Sequence, residues 1–169
     1  MDQGTAKGHL FGTRGATVSV QPHGFLSDAD VATLQAMPQV ATLKYYGALA
    51  VAPDLGLQAE TSTGAFNYHS IDAARQAAMA GCNAKRRSGS PCVVVADILP
   101  RRYQAGRPLT LSQDASEAVN GRQFRRTGRD AALAISPSSG AWGLRDGGAA
   151  ALASCAANGA TDCQLVVTR

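Results

Sequence analysis

The chain is poor in aromatic side chains, which make up 5% of its 169 residues and include one tryptophan, Trp142. A core without large rings must be filled by small residues, and small residues demand close approach of the elements that carry them. No apolar run approaches the roughly 18 residues of a membrane-spanning helix. The closely spaced CxxC pairs of structural zinc sites are missing, and His9, His23 and His69 lie far apart with no ligand spacing between any two, so no metal centre is expected. Only Lys7, Lys44 and Lys85 are available as lysines, and none has the setting of a Schiff-base residue, so no cofactor is expected. Gly140-Ala141-Trp142-Gly143 and Arg14-Gly15 are too short for a phosphate-cradling loop and read as turns.

What the chain does contain is a repeated phrase. Ala48-Leu49-Ala50-Val51-Ala52-Pro53-Asp54-Leu55-Gly56 returns as Ala132-Leu133-Ala134-Ile135-Ser136-Pro137-Ser138-Ser139-Gly140. Each copy is followed by an alanine-rich helical stretch ending in a cysteine, Cys82 or Cys155, and then by a cysteine opening a β-branched run, Cys92 or Cys163. The chain therefore reads as two copies of one β-β-α-β module. The prolines are offset by 84 positions and the helix-ending cysteines by 73, so the second copy lacks 11 residues between turn and helix.

Four cysteines allow three pairings. The duplication selects one bridge per copy, Cys82 to Cys92 and Cys155 to Cys163, each joining a helix end to the next strand and each contributing about 2 to 3 kcal/mol. Disulfides imply an oxidising compartment, the periplasm or the exterior. The opening residues Met1-Asp2-Gln3-Gly4 lack the basic and apolar regions of a signal peptide, and the expectation is that one was removed before this numbering begins.

Four segments are expected: an amino-terminal extension (1–44), the first copy (45–103), a basic structured linker (104–129) and the second, shorter copy (130–169). In the extension, Ala16 to Val20 alternates as a strand, and Ser27 caps a helix that Pro38 should stop. The first copy reads as strand Tyr46 to Ala52, a Pro-x-x-Gly turn, strand Leu57 to Phe66, helix Ser70 to Cys82 and strand Cys92 to Ile98. Ile71, Ala74, Ala78 and Cys82 share one face of that helix and form its buried stripe. In the second copy Asp146 is expected to cap a helix through Ala157, and in the linker Ser112 and Gly121 bracket a short helix. The fold class is α+β, with an antiparallel or mixed sheet carrying helices on one face.

The net charge is +4, unevenly spread. From Lys85 to Arg129 there are ten basic residues against three acids, so the rest of the chain is acidic. Lys85, Arg86, Arg87, Arg101, Arg102, Arg125 and Arg126 are candidate partner-binding residues, with Tyr68 and His69 in the loop that the longer first copy adds. Ser70, His69 and Asp72 supply the residue types of a nucleophilic triad, but sequence neighbours at a helix start point apart, and capping accounts for them.

The run Tyr46-Gly47-Ala48-Leu49-Ala50-Val51-Ala52-Pro53, the pair Asn67-Tyr68, the helix through Ala73-Ala74-Arg75 to Cys82 and the strand Cys92-Val93-Val94-Val95 resemble an uncharacterised domain of secreted bacterial proteins. That domain opens on tryptophan-glycine-alanine-(isoleucine or leucine)-alanine and carries paired cysteines. Tyr46 stands here in place of its tryptophan, and Trp142 follows the second turn instead. The second half, through Leu111-Ser112-Gln113-Asp114-Ala115 and the Ala-Leu-Ala-Ile-Ser-Pro repeat, is similar to tails of proteobacterial proteins labelled 5-aminolevulinate synthase. The resemblance rests on structural motifs and carries over no catalytic residue.

Three function classes follow. The first is a non-catalytic periplasmic or secreted interaction module, an accessory subunit, inhibitor or immunity-type protein, with a protein partner. The second is an enzyme whose site assembles only in the fold, marked by a pocket holding His69 or Asp97 with a perturbed titration. The third binds an anionic polymer or membrane surface through the arginine-rich segment. Nucleic acid is not expected, since only Tyr103 and Phe124 lie near the basic pairs as stacking surfaces.

Overall fold

The computed structural model describes all 169 residues, and they form two compact units. The central unit comprises Arg14–Asn67 and Ile71–Arg101; the terminal unit comprises Met1–Thr13, Tyr68–Ser70 and Arg102–Arg169. The class is α+β, with two antiparallel sheets and two disulfides. No helix is long and apolar enough to cross a membrane.

In the terminal unit a short helix α1 (Gln3–His9) precedes all else. The central unit then supplies β1 (Ala16–Val20), α2 (Asp28–Val40), β2 (Gly47–Val51), β3 (Thr63–Ala65), α3 (Ile71–Lys85) and β4 (Val93–Pro100). Its sheet has the order β1-β4-β2-β3. β1 and β4 pair throughout β1, from Ala16 opposite Pro100 to Val20 opposite Ala96. Leu34 of α2 is buried in a cluster with Val51, Val95 and Ala96, while α3 lies over β2, β3 and β4.

The terminal unit continues with α4 (Gln113–Asn120), α5 (Arg122–Thr127), β5 (Ala131–Ile135), β6 (Trp142–Asp146), α6 (Gly148–Ala156) and β7 (Gln164–Thr168). Its sheet has the order β6-β5-β7. Every residue of β5 is buried, because both faces of the strand are covered. Ala132 and Ala134 pack beneath Ala151 and Cys155 of α6. Ala131, Leu133 and Ile135 point the other way, into a cluster with Ala6, Leu111, Val119 and Phe124 from α1, α4, α5 and the segment before α4.

The same chain order recurs in both sheets: the first strand is central, its hairpin partner lies on one side, and the strand after the helix lies on the other. A β-bulge interrupts the pairing at Leu49/Ala50 against β4 and at Leu133/Ala134 against β7, matched positions of the repeated phrase. The bridges are Cys82–Cys92 and Cys155–Cys163, with Cα atoms 6.1 Å apart in each. That separation suits an unforced disulfide.

Several expectations are corrected. The two β-β-α-β segments build separate sheets rather than one, and helices cover both faces of β5. The expected strand Leu57 to Phe66 shrinks to Thr63–Ala65, since residues 53–62 fold into successive turns held by Leu55 N–H and Gly56 N–H to the Ala52 carbonyl and by Ser62 N–H to that of Ala59. Helix α3 runs past Cys82 to Lys85, and Gly81 sits inside it, where the missing side chain leaves room for Thr63. Pro38 does not stop α2, which reaches Val40: in the last turn a proline costs one hydrogen bond, and Ala41 N–H still reaches the Met37 carbonyl.

Asp146 ends β6 instead of capping α6; its carboxylate accepts from Asp130 N–H at 2.8 Å, and Gly147 takes the cap position. The extension 1–44 is split between the units, with Ala6 in the terminal core. Residues 104–129 are no linker: Leu109, Leu111, Ala115, Ala118, Val119 and Phe124 are buried in the terminal unit.

The helix–strand approach predicts a sharp response to one added carbon. A Cβ at Gly143 would lie 2.5 Å from the Ala151 carbonyl oxygen and 2.6 Å from Cys155 N, both backbone. Gly143→Ala should lower the unfolding free energy by about 3 kcal/mol in urea titrations, the overpacking range. Gly12→Ala, in open space, should leave it within about 0.5 kcal/mol.

Candidate functional site

His69 sits in the terminal unit, 2% exposed, beside a cleft of about 220 Å³ that Pro108, Leu109, Ile135, Pro137 and Val166 also line. Ser112 N–H donates to its Nδ1 at 3.0 Å, and its Nε2 lies 2.9 Å from the Ala141 carbonyl oxygen. A carbonyl only accepts, so the proton must sit on Nε2, and the ring is the neutral Nε2–H tautomer. Burial pushes its pKa down to about 4, opposed by the carbonyls of Ala141 and Gly140 and by the Asp162 charge. A pocket and a shifted titration were the marks of an enzyme, yet neither ring nitrogen has a free lone pair or proton. The ring works as a clamp between the start of α4 and the turn before β6.

Ser136, next to the Pro137 that lines the same cleft, is engaged as well. Fully buried, it donates to Asp162 Oδ1 and accepts from Ser139 Oγ at 2.8 Å, while Ser138 N–H donates to Asp162 Oδ2 at 3.0 Å. The hydroxyls of Ser136 and Ser138 hold the Asp162 carboxyl down at about 2. In the central unit Asp97, 2% exposed, accepts two bonds from Arg75, Nε to Oδ1 at 2.9 Å and Nη2 to Oδ2 at 2.6 Å, and a third from Gln21 Nε2 at 2.7 Å. This bidentate pair anchors α3 to β4.

The basic residues divide between the units. Lys85, Arg86, Arg87 and Arg101 belong to the central unit; Arg102, Arg125, Arg126, Tyr68 and His69 belong to the terminal one. Arg86 is structural, donating to Asn83 Oδ1 at 2.7 Å and to the Gly89 carbonyl at 2.8 Å within the Cys82–Cys92 loop. Arg101 lies along Gly15, and Arg102 is exposed in a turn with φ +59°. Arg107 stacks 3.7 Å over the Phe11 ring and donates to the carbonyls of His9 and Leu10, closing the end of α1.

Helix α5 carries the rest. Phe124, fully buried, anchors it, and Arg122, Gln123, Arg125 and Arg126 are left exposed, followed by Arg129. Where α4 turns into α5 at Gly121 there is a groove of about 390 Å³, lined by Trp142, Asp114, Glu117, Arg122 and Gln123. Local sequence did not assemble it; the only signal was the solitary tryptophan. No three His, Cys, Asp or Glu side chains are grouped to hold a metal ion.

The clamp makes stability depend on pH. A histidine whose folded pKa lies below its ordinary 6.5 contributes fully above that value and loses its contribution as pH falls toward 4. Urea unfolding should show decreasing stability between pH 6.5 and 4, and His69→Gln, less stable at pH 7, should flatten that slope.

Compared with protein-family models, curated proteins and solved structures, the chain matches none.

Proposed function

We propose that this chain is a secreted or periplasmic bacterial protein-binding module, of the accessory-subunit, inhibitor or immunity type, that docks a partner surface of mixed charge on α5 and its adjoining groove. The observation that carries this reading is the pairing of an outward arginine face on α5 with a half-buried tryptophan in the groove beside it. Tryptophan and arginine are the residues most enriched among interface hot spots, and a pocket rimmed by charges of both signs matches the anatomy of a protein interface. Asp114 and Glu117 in the same groove would repel a polyanion passing along α5, which favours a folded protein over a polymer or lipid headgroup. Two disulfides support an oxidising compartment. His69, Ser136 and Asp97, engaged in fixed hydrogen bonds, support a non-catalytic role.

The oxidised protein should capture one stoichiometric protein from the native cell envelope, and capture should survive salt. Arg125→Glu combined with Arg126→Glu should weaken that complex by about tenfold or more while the melting temperature stays unchanged. Capture unaffected by the double substitution, or recovery of salt-sensitive polymer or lipid alone, would overturn the proposal.

A further inference from the structure

Most ionic side chains near the Cys82–Cys92 loop are occupied. Arg86 holds Asn83 and Gly89, Asn83 Oδ1 also accepts from Cys92 N–H at 3.0 Å, and Asp54 Oδ2 accepts from Ser90 N–H at 2.6 Å. One neighbouring group is not. Leu55, Ala59, Glu60 and Thr61, from the turns after β2, form one wall of a groove of about 470 Å³, and Lys85, Arg87 and Ser88, where α3 ends, form the other. Lys85, Arg87 and Glu60 make no ion pair or side-chain hydrogen bond within the chain. Thr61 is 9% exposed, and its buried hydroxyl has no partner. That hydroxyl has no surface on the groove, so the chemistry the groove offers is that of its exposed residues, Lys85, Arg87, Glu60 and Leu55.

The frame around these groups is fixed. Ser62 Oγ donates to the Leu57 carbonyl at 2.7 Å, the Asp54–Ser90 bond ties the turns to the disulfide loop, and the bridge ties that loop to α3. Arg86, the middle residue of the Lys85-Arg86-Arg87 run, is held by the loop and leaves its two neighbours on the groove. The groove is also what the 11 extra residues of the first copy build; the short turn Ser136 to Ala141 supplies no equivalent wall.

We infer that this groove binds a zwitterionic α-amino acid with an apolar side chain. Its carboxylate lies between Lys85 and Arg87, its ammonium on Glu60, and its side chain against Leu55 and Ala59. A plain anion would meet Glu60 and a plain cation would meet Lys85 and Arg87, whereas a ligand carrying both charges finds an opposite charge for each of its own. Occupancy of this groove does not depend on what α5 binds.

The test is a titration of the full-length, oxidised, ¹⁵N-labelled protein with L-leucine, and separately with 4-methylpentanoate and isoamylamine, which carry only the acid or only the amine. L-leucine should give saturable amide shifts confined to residues 55–61 and 85–88, with a dissociation constant on the order of 1 mM. Each half-molecule should bind about fivefold more weakly or worse, the effect of one lost exposed ion pair. Glu60→Gln should reduce L-leucine to the affinity of 4-methylpentanoate, and Lys85→Gln with Arg87→Gln should abolish both, in variants whose spectra otherwise overlay on the parent. Absence of saturable shifts at these residues, or 4-methylpentanoate or isoamylamine binding as tightly as L-leucine, would overturn the inference.

Discussion

Close approach between a helix and the strand it crosses governs the build of both units. At the α3 crossing the missing side chain is on the helix: a Cβ on Gly81 would meet Thr63 Cγ2 at 2.8 Å. At the α6 crossing it is on the strand: a Cβ on Gly143 would meet Ser154 Cβ at 2.7 Å. Thr63 and Gly143 pair with the matched residues Ala50 and Ala134, and Gly81 and Ser154 each precede the helix cysteine. Each crossing thus has one glycine and one small hydroxylated residue, with the sides exchanged. A helix this near its sheet explains why Ala74, Ala78 and Ala151 suffice for its buried face, and it brings Cys82 and Cys155 within bridging distance of the strand that follows.

A second exchange joins each turn to its disulfide loop. In the central unit the turn supplies the carboxylate, Asp54, and the loop supplies the donors, the Ser90 backbone N–H and hydroxyl. In the terminal unit the turn supplies the donors, Ser136 and Ser138, and the loop supplies the carboxylate, Asp162. Both arrangements close a short polar latch where a thin core offers little burial, and an ionised acceptor strengthens each bond. The consequence for function is that the hydroxyls and carboxylates nearest the repeated turns are already occupied. Groups able to meet a ligand must come from elsewhere, and they do: from the turns of the longer copy and from α5.

The features legible in sequence are those set by local chemistry. Ser27 caps α2 in a reciprocal box with Asp30, Ser112 caps α4, and β1 spans the alternating run Ala16–Val20. The disulfides follow because the repeat placed the cysteines at matched points. What could not be read depends on distant partners. Helix α1 contains two glycines and has little intrinsic propensity; Asp2 caps it, Gln3 Nε2 bonds the Val119 carbonyl at 2.7 Å, and Arg107 closes its far end, 98 positions from His9. The strand expected from Leu57 is lost because residues 53–62 close into successive backbone-bonded turns, which leave Leu55 exposed and draw Leu57 against the α2 cluster. His69 offered the residue type of a catalytic base, and only its two backbone partners, Ser112 and Ala141, identify it as a clamp.

The basic segment illustrates how charge along a chain differs from charge in space. Ten cations between Lys85 and Arg129 suggest a polyanion-binding strip, which would need them on one continuous face free of carboxylates. Instead Arg86 and Arg107 hold backbone carbonyls, and Lys85 and Arg87 face Glu60 across a groove. Arg122 shares its groove with Asp114, Glu117 and Trp142. Wherever a cation is left to meet a ligand in these two concavities, a carboxylate stands within the same lining. Surfaces of mixed sign discriminate by matching opposite charges on the ligand and gain little from the counterion release that drives polyanion binding. The electrostatics therefore favour ligands that themselves carry both signs, as would the protein surface proposed for α5 and the zwitterion proposed for the groove beside the first disulfide.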